Sequence, residues 1–202
     1  MTLWSGKSPL VLASQSLTRQ TLLANAGLEF EVVYSDIDER AIQHDSGLST
    51  PREIALLLAC AKALTVSAIQ PGQFVIGADQ TLSRGERLFT KPTDRTQAAE
   101  QLRALCGGRH ELYSAVAVAF EGEVVFAEAA VAAMTMRPLA PSEIDTYLDL
   151  AGEAVLASVG AYQLEGLGIH LFEQIEGDHF TILGLPLLPL LGFFRAHHLL
   201  AV

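Results

Sequence analysis

The chain has 202 residues, half of them hydrophobic and 18% charged, enough for one sizeable core or two small lobes that share one. Thirteen Lys and Arg stand against 23 Asp and Glu, a formal net charge of −10, and no basic run occurs. That balance argues against binding to a nucleic-acid polymer, whereas a small phosphate ligand needs only a local cationic cluster. Composition also argues against long disorder and, with no uninterrupted apolar stretch of membrane length, against a bilayer partner; the richest candidate, LGLPLLPLLGFF at 183–194, carries two prolines. The N-terminus has no hydrophobic region followed by a cleavage site, so a cytoplasmic protein is expected. Cys60 and Cys106 show neither metal-ligand nor redox spacing, and reduced thiols are the default.

In chain order, PLVLA (9–13) reads as a short buried strand and SQSLTRQTLLANAG as a turn and helix stopping at Gly27. LEFEVVYSDID (28–38) alternates apolar and polar residues as a second strand, and ERAIQHDSGLS (39–49) reads as polar and turn-rich. A long helix starts at Thr50 as N-cap, with Pro51 at the first helical position and Glu53 completing a capping box, and runs to about Ile69. QFVIGADQTL (73–82) is then an apolar strand that ends on an acid, followed by a loop SRGERL and by LFTKP. A helix spans roughly Asp94 to Leu105 and stops at Gly107-Gly108. Residues 111–137 read as a hairpin turning at Glu121-Gly122, with a second arm whose alanines also permit helix. PSEIDTYLDLAG is a short amphipathic helix, residues 160–185 suggest strands broken by glycines, and PLLPLLGFFRAHHLL closes the chain as a helix. Helices and strands alternate first and strands then dominate, so the expected class is α/β with a mixed sheet.

Several residues stand where chemistry is feasible. Asp79, at the expected end of an apolar strand, suits a general base, because ligands gather beyond the carboxyl ends of strands in open α/β sheets; it equally suits a turn cap. Ser14 and Ser16 lie between strand and helix, and Arg19 follows Ser16 by three residues. A helix N-terminus with a guanidinium beside it makes a phosphate pocket, though any helix accepts a serine cap. Lys62 follows Ile54 and Leu58 at four-residue steps and so extends an apolar ridge; its stem either snorkels to water or carries an ammonium into a site. Lys91, before Pro92, is open to the same two readings. On a strand, Asp36 and Asp38 share a face and with Glu39 form an oxygen set for a hard cation, or a solvated acidic loop. Glu165 lies in a glycine-rich segment that permits close approach of a ligand or an ordinary turn. The six histidines have no metal spacing, and no P-loop, G-x-S-x-G or G-x-G-x-x-G is present.

Taken in order, LASQSLTRQTLL, SDIDE, AKAL, VIGADQTL, FTKP and SVGAYQLEGLGIHLFEQIEGDHFTILGLPLLPLL resemble the Maf family of nucleoside triphosphate pyrophosphatases almost end to end. The resemblance implies a single domain over residues 1–202, a mixed central sheet flanked by helices in two lobes around a deep nucleotide-binding cleft, and usually a homodimer. It implies hydrolysis of a nucleoside triphosphate to the monophosphate and pyrophosphate with a divalent cation, Mg²⁺ or Mn²⁺. It places the catalytic acid at Asp79, the Ser-x-x-Arg phosphate element at Ser16 and Arg19, the acidic residue after the second strand at Glu39, and the two lysines at Lys62 and Lys91. The metal set is then Glu39, Asp79 and Asp38. Specificity falls on Thr18, Gln80 and Glu165. Gln80 and Glu165 look like the subgroup that removes 7-methyl-GTP rather than the one acting on dTTP and UTP, while Thr18 stands where that subgroup has Trp. The base is left open, with the Glu165 carboxylate favouring a guanine-like N–H edge. A role sometimes attached to the family, a non-catalytic nucleotide-sensing regulator of septum formation, is the alternative.

Overall fold

The computed structural model describes residues 2–202 and is α/β, with seven strands in one mixed sheet ordered β2-β1-β3-β5-β6-β7 and β4 paired to β3 alone. The strands are β1 (Leu10–Ala13), β2 (Phe30–Val32), β3 (Val75–Arg84), β4 (Arg87–Phe89), β5 (Arg109–Phe120), β6 (Glu123–Met136) and β7 (Phe172–Glu176). The helices are α1 (Leu17–Asn25), α2 (Glu39–Ser46), α3 (Pro51–Ser67), α4 (Arg95–Leu105), α5 (Pro141–Ala151), α6 (His179–Ile182) and α7 (Leu187–Ala196). β1 lies parallel to both β2 and β3, while β3–β4 and β6–β7 are antiparallel. No helix among the described residues is long and apolar enough to cross a membrane.

The chain forms two compact units, and β3, β5 and β6 each contribute to both. The first holds residues up to Gln80, Ser114–Ala130 and His179–Val202. Its β1 and β3 are buried on both faces, which is why they read as apolar runs without alternation. Leu10, Leu12, Ile76 and Ala78 face a core completed by Val116, Val118, Leu190, Phe193, Phe194 and Trp4. The opposite face carries Val11, Ala13 and Val75 against Val66 of α3. Strand alternation puts Gly77 and Asp79 on this second face with Val75. A Cβ at Gly77 would stand 2.2 Å from the Ala59 carbonyl oxygen and 2.6 Å from Ala63 N, so α3 rests directly on the backbone of β3 there.

The second unit holds Thr81–Tyr113 and Val131–Asp178. α4 packs on α5, and buried Gln101 donates to Thr90 O at 2.9 Å while accepting from Gly160 N at 3.1 Å. Buried His110 meets the Tyr162 hydroxyl at 2.8 Å, with Phe172 edge-on to Tyr162.

Five expectations are corrected. The second strand ends at Val32, not Asp38: its partner β1 is only four residues long, so the alternating pattern beyond finds no ladder. Asp36 and Asp38 therefore share no strand face. Residues 39–46 are not turns but helix α2, begun by Asp38 as N-cap and closed by Gly47 in the left-handed conformation at φ 66°. β3 runs on to Arg84, where Gly85-Glu86 turn it back into β4, so Asp79 is mid-strand rather than at a strand end. Residues 160–185 hold one strand, β7; before it, two 3₁₀ segments, Val159–Ala161 and Leu167–Leu171, are joined by irregular chain and a turn. Thr50 caps α3 as expected, accepting from Glu53 N at 3.3 Å, but the Glu53 carboxylate takes the Thr50 hydroxyl at 2.5 Å instead of closing a capping box on the Thr50 amide. The helix from Asp94, the Glu121-Gly122 hairpin and the closing helix form as expected.

Candidate active site

The first unit assembles Asp79, Lys62, Glu39 and Arg19 around one point of β3. α3 is held against Gly77 by close contact with Ala59 and Ala63, and Lys62, between those two positions' turns, is carried over Asp79 two residues further along the same strand face. Lys62 Nζ donates to Asp79 Oδ1 at 2.5 Å and also meets Glu39 Oε1 at 2.8 Å. Asp79 and Lys62 are 7% and 8% exposed, whereas the Glu39 side chain is half exposed. Of the two readings open for Lys62, the buried ammonium is the one realised. Glu39 reaches it because it is the first residue of α2, which packs against α3.

Arg19 enters from the other side. Ser16 caps α1 through its hydroxyl, which accepts from Arg19 N at 3.4 Å, and thereby sets Arg19 in the first turn. The guanidinium is then lashed down: Nε donates to Gly184 O at 2.8 Å, and Nη1 donates to Ala78 O at 2.8 Å and Ser14 Oγ at 3.3 Å. The other terminal nitrogen, Nη2, takes no part in these three bonds. Gln80, next to Asp79, points elsewhere: its Nε2 donates to Ser114 Oγ at 2.9 Å, Ile182 O at 3.0 Å and Thr181 O at 3.3 Å.

Electrostatics follow from burial. Desolvation raises the Asp79 pKa above the ordinary carboxylate value; Lys62 and Arg19 pull it down, and Glu39 adds to the rise. Desolvation likewise lowers the Arg19 pKa, opposed by Asp79 and Glu39, and the guanidinium keeps its charge.

Two carboxylate oxygens, from Glu39 and Asp79, converge on one ammonium. A hard divalent cation is commonly held by one or two carboxylates together with substrate phosphates, so this donor set fits Mg²⁺ or Mn²⁺ completed by phosphate and water. Asp38 is outside the pair: its Oδ1 accepts from Ala41 N at 3.0 Å as the α2 cap, and no group of three His, Cys, Asp or Glu forms among the described residues. Thr18 lies in the first turn of α1. Lys91, exposed beyond β4, and Glu165, exposed on a turn before the last 3₁₀ segment, belong to the second unit. Three contributors were not singled out from the sequence. Gly77 was signalled by being a glycine inside an apolar strand. Gly184 and Ser114, which hold Arg19 and Gln80, carry no local signal.

The family model for "Maf-like protein" matches residues 9–197. A protein of Bradyrhizobium diazoefficiens named nucleoside triphosphate pyrophosphatase is 66% identical over the full length of both chains. One of the same name from Rhodopseudomonas palustris is 63% identical over the full length of both. A protein of Mesorhizobium japonicum named 7-methyl-GTP pyrophosphatase is 52% identical, covering 92% of this chain and 94% of its own. A model match over nearly the whole chain and full-length identity at this level make this protein a member of the Maf family.

Proposed function

We propose that this protein is a nucleoside triphosphate pyrophosphatase, hydrolysing its substrate between the α and β phosphates to a nucleoside monophosphate and pyrophosphate. The observation that carries the reading is Asp79, a buried carboxylate on a rigid strand whose Oδ1 is held by Lys62, set among Glu39 and Arg19 in a chain so similar to proteins of that name.

Asp79 Oδ2 makes no hydrogen bond among the described residues and is the atom that takes the proton of the attacking water. Burial makes this carboxylate a stronger base than an exposed aspartate, and the Lys62 charge opposes that rise. The water oxygen bonds to the α-phosphorus, the bond from that phosphorus to the bridging oxygen breaks, and pyrophosphate leaves with the electron pair. Arg19, through Nη2, binds phosphate oxygens from a position fixed by three hydrogen bonds and costs no reorganisation as charge moves. Lys62 turns from the carboxylates to the phosphates, and Lys91 supplies a further cation. Glu39 and Asp79 would hold a divalent metal, which when bound neutralises phosphate oxygens and makes the α-phosphorus more electrophilic. The base is a modified purine of the 7-methyl-GTP kind, a reading supported by Glu165 and by the relative of that name.

Incubation of the purified protein with a panel of nucleotides and Mg²⁺ or Mn²⁺ tests this: pyrophosphate and monophosphate should appear, and orthophosphate alone, or no product, would refute it. Asp79→Asn should lower kcat about 10²- to 10⁴-fold with the fold intact by circular dichroism. A variant of wild-type activity would place the base elsewhere.

A further inference from the structure

The resemblance assigns Gln80 to base choice, yet its carboxamide is spent inside the first unit. Two of its three partners are the carbonyls of Thr181 and Ile182, which only accept, so the amide nitrogen must face them and the orientation is unambiguous. The third, Ser114 Oγ, itself donates to Thr181 O at 2.6 Å, leaving a lone pair for Gln80. Gln80 thus ties β3 and β5 to the short helix α6. Two residues after Ile182 comes Gly184, whose carbonyl takes Arg19 Nε at 2.8 Å. Gly184 sits at φ +90°, and a Cβ built on it would lie 3.5 Å from Arg19 Nε and Nη2 and 3.5 Å from Gln80 Oε1, so it is sandwiched between the two side chains.

We propose that Gln80 is a positioning residue for the phosphate clamp: by fixing residues 181–184 it fixes the Gly184 carbonyl, and through it the direction in which Arg19 presents Nη2. This rests on the triphosphate-hydrolase reading. It has a consequence that base recognition does not: Gln80 matters for a ligand with no base at all.

Inorganic tripolyphosphate, titrated calorimetrically with Mg²⁺ present, is the probe. The proteins are wild type, Gln80→Met, Arg19→Ala and the double variant. Gln80→Met should weaken tripolyphosphate binding about tenfold. In the Arg19→Ala background the same change should cost nothing further, because its effect runs through the guanidinium. The ratios of kcat/KM among nucleotides differing only in base should stay within about twofold of wild type. Should Gln80→Met not fold, as judged by thermal unfolding, Ser114→Ala removes the Gln80 acceptor at 2.9 Å and takes its place in the cycle. Undiminished tripolyphosphate binding by Gln80→Met overturns the proposal, as does an equal loss with and without Arg19. So does a changed base ratio with tripolyphosphate binding intact, which would make Gln80 a base reader. If wild type itself does not bind tripolyphosphate, the phosphate-site reading falls together with this one; failure confined to the double variant removes this inference alone.

Discussion

The contact between Lys62 and Asp79 sets two requirements on each other at the scale of single residues. Both are buried, and each is tolerable there only because of the other. Removing the ammonium alone, as in Lys62→Met, leaves a buried carboxylate with only Arg19 to offset its desolvation. The expected cost is about 3–5 kcal/mol at neutral pH, read by urea unfolding. The pH dependence has a definite sign. The Asp79 pKa is raised by burial, and losing Lys62 raises it further, so the protonated form is favoured in the folded variant. The penalty is therefore present above the folded pKa and fades as the pH falls towards the ordinary carboxylate value, where Asp79 is protonated folded and unfolded. Adding Asp79→Asn to Lys62→Met should recover most of the loss at pH 7; a double variant as unstable as the single would mean that packing of the lysine stem, not charge, is what Lys62 contributes. Both residues were visible in the sequence as anomalies, an acid in an apolar run and a lysine on an apolar ridge. Their partnership was not, because a ridge fixes one side of a helix and leaves open what it faces. Asp38 shows the reverse case: an acid that reads as a metal ligand is used as a cap, since a helix N-terminus with open amides stood next to it.

At the scale of elements, what makes the site is the close approach of α3 to β3, and Gly77 is the reason it is feasible. Alanine there would place a methyl 2.2 Å from the Ala59 carbonyl oxygen and 2.9 Å from the Ala63 Cβ, both parts of a helix buried along that face. The helix must lift. Gly77→Ala should destabilise the protein by about 1–3 kcal/mol, and it should lower activity more than an equally destabilising change remote from α3, because Lys62 moves with the helix. Comparing kcat/KM with the urea midpoint for both variants checks this; an activity loss that merely tracks stability would mean that the spacing of α3 and β3 is not what matters. Elements marked by chemistry at their ends were legible, as with the Thr50 cap before Pro51 and the glycines after α4. α2 carried the same marks, Asp38 before and Gly47 after, but buries no residue, so no apolar period drew attention to it. β2 is shorter and β3 longer than their own residues imply for one reason: strand length is decided by the partner, the four residues of β1 for β2 and the antiparallel β4 for the end of β3.

At the scale of the whole molecule, a net charge of −10 coexists with Arg19 and Lys62 gathered in the first unit, the local cluster that the proposed polyanionic substrate requires. The second unit carries a different pH liability. His110 is 1% exposed, its Nε2 is bound to the Tyr162 hydroxyl, and rings of Tyr162 and Phe172 flank it. Burial, with the nearby Arg84 charge, pushes its pKa down to about 4 from 6.5, so it is neutral in the folded protein where the unfolded chain would already be protonated. The stability this represents is fully present above pH 6.5 and is lost as the pH falls towards 4, where the folded form too takes up the proton. A displacement of that size sets an upper bound of about 3 kcal/mol. His110→Gln keeps a polar end for Tyr162 and removes the proton site. Urea unfolding from pH 7 to pH 4 should then give a shallower decline for the variant than for wild type, the two curves converging as the pH drops. Parallel curves would show that His110 takes up its proton over the same pH range folded and unfolded, with a counter-charge or water reaching its ring.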